Sequence, residues 1–309
     1  MVRYLAALLF IYLKQDIMET GTTIKFPFRY ELIKLIQKEL PLHSVYVIGM
    51  ETIKKRQKVF LYPLPVMPQE TVTYTLLVVG YRSPAKNLGD FMANLYGKMK
   101  GRCRVYVIFR TLSNVLKRLD IGDNFLNRIV SGTPCIFKEN NLVTESCPVG
   151  MCLHSTYYER IRESWIDRME RAEYLLSVVG IIGEREDTAS KMAVMHFAME
   201  QVCLGLLRIF WEYVPNHYSL SYLFHLCGHF TELPQRIFPR GTYGLQRQFY
   251  MLCNAHHIMR FKGAIQFSPD DSDRVFRRCE RFFMEARGLG EIQLAHLKEI
   301  HCNPSKEGS

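Results

Sequence analysis

Long apolar runs are scarce in this sequence. The one at the N-terminus, within MVRYLAALLFIYLKQDI, extends only from Tyr4 to Leu13, shorter than the roughly 20 residues a spanning helix needs. No small-x-small cleavage site follows it, which argues against a secretory signal. Residues 1–17 therefore read as an apolar extension, with Met18 as the expected native start and a peripheral anchor or signal as the alternative. No integral membrane association is expected. Internal repeats and low-complexity segments are also absent, which excludes solenoids and biased-composition tails. The nine cysteines are odd in number and irregular in spacing, so no disulfide framework is expected. Several sit in apolar helical runs, and the pattern fits a reducing, cytoplasmic compartment. Acidic residues are sparse in the first part of the chain. Residues 1–140 hold 21 Lys and Arg against 10 Asp and Glu, whereas residues 141–309 hold 19 against 20. The whole net charge of +10 thus arises in the first half, and such a surface attracts phosphate-bearing partners, nucleotide, RNA or DNA.

What is present suits a soluble two-domain chain. Its 309 residues are 48% hydrophobic and 23% charged, enough to build real cores. Leu32, Ile33, Leu35, Ile36 and Leu40 recur at helical spacing within 28–40, and Pro41 stops the pattern. Strands are expected at 44–49, ending at Gly49, then at 58–64, 71–80, 104–110 and 134–137. The basic run 54–56 is expected as an exposed turn. Helices are expected at 85–101, 111–119 and 123–131. This order is that of a small α+β unit over residues 18–140. Periodicity fades around 141–156, read as a linker. Residues 157–302 read as an all-α up-and-down bundle, with 303–309 as a tail. Its helices are expected at 157–182, from an Asp187 cap to Tyr213, and at 219–230, 242–262, 268–288 and 289–301. The Met and aromatic stripe in 192–213 is expected to be bundle core.

The segment TVTYTLLVVG, residues 71–80, poses the functional question. With Gly49 in VIGM before it, the first unit resembles the minimal nucleotidyltransferase fold of the polymerase-beta type over roughly 25–137. That family follows its first strand with a glycine-serine turn for nucleotide phosphates. Gly49 is kept here, and Met50 replaces the serine. The family also carries two acids, two residues apart, on the next core strand. Side chains at that spacing face one side and can share a magnesium ion. The matching residues here are Thr73 and Thr75, and RVYVIFR supplies no third acid. The resemblance thus implies a degenerate domain without nucleotidyl transfer, with no resident metal or cofactor. Gly49, Lys54, Lys55, Arg56 and Lys58 remain as candidate phosphate-binding residues, or as a solvated loop.

The second unit resembles the HEPN family (higher eukaryotes and prokaryotes nucleotide-binding) over roughly 157–302. The matching segments are MHFAMEQVCLGLL, PNHYSLSYL, RIFP and FYMLCNAHHIMRFK. They bring the pair Glu200 and Gln201, a turn from His217 to Leu220, and a segment from Ala255 to Lys262. The order of the two units also looks like a bacterial arrangement of this family. The resemblance implies a polar cluster of Glu200, His217, Arg260 and Lys262 that could hold a nucleotide or RNA phosphate, and a homodimer through the bundle. It also implies an alternative, a metal-independent ribonuclease in a toxin or defence role, in which arginine grips the phosphate and histidine moves a proton. The usual Arg, four to six residues, then His does not occur. Arg247 to His256, Arg208 to His217 and Arg287 to His296 each leave eight residues between. Candidate catalytic residues for a rearranged site are His217, His256, His257 and Arg260. In HLCGH, His225 and His229 stand at metal-ligand spacing, but no carboxylate accompanies them, and ordinary core or surface histidines are expected. The reading is a regulatory or non-catalytic nucleotide- or nucleic-acid-binding protein, with the ribonuclease and a protein-interaction scaffold as alternatives.

Overall fold

The computed structural model describes residues 24–55, 69–148, 150–183, 187–261 and 268–302. A four-stranded sheet takes the order β3-β2-β1-β4. Its strands are β1 (Leu42–Lys55), β2 (Gln69–Gly80), β3 (Cys103–Thr111) and β4 (Cys135–Lys138). β1 runs antiparallel to both β2 and β4, while β2 and β3 are parallel. A parallel pair needs a crossover, and helix α2 (Leu88–Lys98) supplies it, capped by the Asn87 side chain. Helix α1 (Arg29–Glu39) precedes the sheet.

Strand alternation assigns the two faces. Val72, Tyr74, Leu76 and Val78 join Leu32 and Ile36 of α1 and Phe91 and Leu95 of α2 in one core. Leu77 and Val79 face the other way, and Thr73 and Thr75 share their side. That second face packs into a core continuous with the helical half of the chain. Helices α3 (Leu112–Asp120), α4 (Asn124–Gly132) and the short α5 (Leu142–Glu145) flank it. The helical half follows with α6 (Ser155–Gly183), α7 (Thr188–Trp211), α8 (Leu220–Cys227), α9 (Leu233–Ile237), α10 (Tyr243–Phe261) and α11 (Pro269–Cys302). The chain is thus an α+β portion followed by a helical portion. Asp187 caps α7 through a bond from Ser190 N–H, as its position suggested. α7 is long and apolar enough to cross a membrane by composition alone, yet 67% of its apolar window is buried within the protein. All nine cysteines are free thiols.

Three local expectations require correction. β1 does not end at Gly49 but continues to Lys55, with an irregularity between Val47 and Gly49. Gly49 is therefore a strand residue paired with Thr75, not part of a phosphate-holding turn. Lys54 and Lys55 belong to the same strand rather than to an exposed turn. Arg56, Lys58, the expected strand 58–64, Lys262 and residues 1–17 lie outside the described residues. The third correction is at the C-terminus, where one helix spans 269–302 without a break at Gly288. Glycine lowers helix propensity but does not forbid helix. Gly290 has a packing reason to be there: a β-carbon would lie 2.1 Å from Trp165 Cζ2. Trp165, 4% exposed, is slotted between Gly290 of α11 and Gly205 of α7, where a β-carbon would meet Cε3 at 2.9 Å.

Candidate functional site

Cross-strand pairing places the residues that matter. Gly49, Thr75 and Tyr106 lie side by side on β1, β2 and β3, and Glu51, Thr73 and Arg104 form the next row outward. In the resembled fold this row and face would carry the acids. Here helix α8 lies over it. His225 and His229, one turn apart on the chain, turn both Nε2 atoms onto Thr75 Oγ1, at 2.7 and 2.8 Å. A hydroxyl has one proton and lone pairs to spare. It donates to one imidazole and accepts from the other, so the two rings hold opposite neutral tautomers.

The rings are fixed on several sides. His225 stacks on Tyr106 with centroids 3.5 Å apart and planes 12° apart. His229 packs beside Trp211 at 5.7 Å and against Gly49, where a β-carbon would lie 2.4 Å from its Cε1. The glycine kept from the resembled phosphate turn thus makes room for an imidazole. Burial, assisted by the charges of His229, Arg240 and Arg104, pushes the His225 pKa down to about 3. Desolvation lowers that of His229 as well. Neutral imidazoles can ligate metals. Among the described residues, however, no group of three or more His, Cys, Asp or Glu side chains is placed to hold one.

The loop between α7 and α8, and α8 itself, add further bonds to β3. Tyr222 Oη donates to Val107 O at 3.1 Å, Asn216 Nδ2 to Phe109 O at 3.3 Å, and Arg110 Nη2 to Val214 O at 3.0 Å. Below them, Glu212 is 6% exposed and adopts a left-handed backbone, φ 55°, at the end of α7. Its carboxylate accepts from Asn124 Nδ2 at 2.8 Å and pairs with Arg128 at 3.3 Å. Arg128 also donates to Trp211 O at 2.7 Å. α4 of the first half is thereby tied to α7 of the second.

The other residues singled out by sequence stand in separate surroundings. His217 does precede α8, which begins at Leu220. It packs edge-on to Tyr222 at 4.9 Å and near Gly89 of α2, and burial lowers its pKa. Glu200 lies near Arg168 of α6; burial raises its pKa and the Arg168 charge opposes that. Its neighbour Gln201 accepts from Arg168 Nη1 at 2.9 Å. Arg260 is exposed near the end of α10, one turn after His256, whose pKa is lowered by burial and then by the Arg260 charge. His257 is exposed on the same helix. Among the described residues, no hydrogen bond or ion pair joins Glu200, His217 and Arg260. His256 instead approaches the buried His196 of α7, with ring centroids 4.7 Å apart. His196 bonds Leu252 O through Nδ1 at 2.9 Å, and burial takes its pKa to about 4. His256 Nδ1 is buried without a hydrogen-bond partner.

Sequence reasoning missed two things here. It had no means of joining Thr75 to His225 and His229, which are 150 and 154 residues away. It also overlooked Arg168, because an arginine on an amphipathic helix carries no motif. The only legible signal for the first was that two histidines one turn apart share a helix face.

No protein-family model matches the chain, and no curated protein matches it. Among solved structures, a nucleotidyltransferase-like protein from Exiguobacterium sibiricum 255-15 aligns with 86% of this chain and 76% of its own, at 11% identity and a TM-score of 0.29. A likeness that distant assigns neither a family nor an activity.

Proposed function

We propose that this chain is a non-catalytic nucleotide- or nucleic-acid-binding protein, built from a degenerate nucleotidyltransferase-like unit and a HEPN-like bundle. One observation carries the proposal. Thr75, at the position of a metal-binding acid in the resembled fold, is bonded by two imidazoles, His225 of α8 and His229 just beyond its end. Phosphoryl transfer needs metal to offset charge and align the attack. A hydroxyl between two neutral rings offers neither a carboxylate nor open space for a triphosphate. The basic balance of the first half, 21 cationic against 10 acidic residues, supports binding without turnover. Self-association through the bundle belongs to the same proposal. Met284, 61% exposed, and Ile292, 70% exposed, two turns apart on α11, support it, and sedimentation tests it.

The test incubates the protein with labelled RNA in EDTA, and separately with labelled nucleoside triphosphates and magnesium. The expected result is a gel shift that weakens steeply with salt, no RNA cleavage and no nucleotide incorporation. Replacing Lys54, Lys55, Arg56 and Lys58 together by alanine should abolish the shift. Magnesium-dependent transfer of a nucleotide would overturn the reading. A second reading, a metal-independent ribonuclease, is favoured by one observation, the His196–His256 pair with Arg260 one turn away. Cleavage in EDTA that His256→Ala and Arg260→Ala both abolish would replace the first reading with this one.

A further inference from the structure

The Glu200–Gln201 pair leads to a feature on α6 that the expected site did not include. A solvent-open groove of about 360 Å³ runs there along one face of the helix, lined by Arg160, Glu163, Ser164, Asp167, Arg168 and Arg171. That volume is within the roughly 300–1,000 Å³ of small-ligand sites. The Arg168 guanidinium is held in position by Gln201 Oε1 at 2.9 Å. Among the described residues, no salt bridge occupies Arg160, Arg168 or Arg171. Arg208, a further neighbour of Arg168, is already engaged: it donates to Glu212 O at 3.2 Å and lies over the Tyr157 ring.

From this arrangement we infer that the groove on α6 binds the phosphate group of a nucleotide. The inference deepens the proposed function by placing a second phosphate site on the helical half. Guanidinium groups match phosphate oxygens in pairs, and three of them on one groove offer more donors than their own surroundings use. The crowding is felt: Arg168 is held below its usual pKa by burial first, then by the Arg171 charge and, more weakly, that of Arg208. An anion relieves that repulsion.

Two further features fit a nucleotide better than a bare anion. The carboxylates of Glu163 and Asp167 would repel simple phosphate, but they accept bonds from sugar hydroxyl or base amino groups. Tyr218, half of it exposed, lies in the neighbourhood of Arg168. A tyrosine ring there provides a face on which a base can stack.

The experiment is calorimetric titration of the whole protein at low salt, without magnesium, with ATP and with inorganic pyrophosphate. ATP is expected to bind more tightly than pyrophosphate. Arg171→Ala and Arg168→Gln should each weaken ATP about tenfold or more, as expected when a charge-assisted bond is lost. Tyr218→Ala should weaken ATP and leave pyrophosphate unchanged. Arg171 and Tyr218 are exposed, so their variants should fold, and circular dichroism checks it. A short RNA that displaces ATP would identify the natural source as a nucleic-acid phosphate, and failure to displace would identify a mononucleotide. No ATP uptake at millimolar concentration, or wild-type affinity in both arginine variants, overturns the inference. The two proposals fail separately. The variant lacking Lys54, Lys55, Arg56 and Lys58 should keep ATP binding on α6, and Arg171→Ala should keep the RNA shift of the first half.

Discussion

Replacing Thr75 by valine removes one hydroxyl and nothing of comparable volume. Its consequences can be worked out from the two bonds it makes, 2.7 Å to His225 and 2.8 Å to His229. A hydrogen bond contributes about 1 kcal/mol net, and a buried partner left unsatisfied costs about 1–3 kcal/mol. His225 is half-buried and stacked on Tyr106, so its nitrogen bears most of that penalty. His229 is exposed and recovers a bond from water, so its share is a few tenths. The sum is about 1–3 kcal/mol of lost stability, with a few tenths recovered from the added methyl on an apolar sheet. Urea unfolding followed by fluorescence should therefore show a lower midpoint with an unchanged slope. Thr73→Val is the control. Thr73 lies on the same face but more exposed, and the change should stay within about 0.5 kcal/mol. Equal effects of the two substitutions, or no effect of Thr75→Val, would refute the claim that α8 is fastened to the sheet through this hydroxyl.

Other outcomes follow from the same structure. Gly290→Ala should destabilise the protein by about 1–3 kcal/mol through overpacking against Trp165. Gly288→Ala, with nothing within 4 Å, should stabilise by about 0.5–1 kcal/mol; thermal unfolding of the pair reads both signs. Stability should fall on acidification. The pKa values of His225 and His196 are lowered in the folded state, to about 3 and about 4, so the unfolded chain binds more protons below about 6.5. Each group's contribution is complete above that pH and is lost as pH falls through the window toward its folded value, at up to about 1.4 kcal/mol per pH unit. Denaturation at pH 7.5 and 5.0 should show this loss, and His225→Gln should reduce it. Glu212→Ala should cost about 2–4 kcal/mol, because Arg128 and Asn124 lose their buried partner. Arg128→Met should cost a similar amount, and the double variant less than the sum.

Much of the architecture was legible because its causes are local. The β-branched, aromatic and apolar make-up of 71–80 and the spacing of Leu32 to Leu40 specify a strand and an amphipathic helix locally. The Asp187 cap marks the start of α7 through backbone chemistry at that position. The replacement of an expected acid pair by Thr73 and Thr75 was equally plain, since it is a matter of residue identity. What needed the folded chain was every contact between distant segments. Gly49 reads as a turn until β1 is seen to pair through it. Gly288 reads as a helix end until α11 is seen to run on through it, carried by the packing of Gly290 against Trp165. His225 and His229 read as ordinary histidines until α8 is laid over the sheet. Arg168 becomes notable only beside Gln201 and Arg171. Sequence by itself determined the core of most helices and strands among the described residues, the charge asymmetry of the two halves and the absence of the acid pair, because these depend on neighbours along the chain. Tertiary structure alone decided what stands in place of that pair and where cations gather, because those depend on side chains brought together across as many as 154 residues.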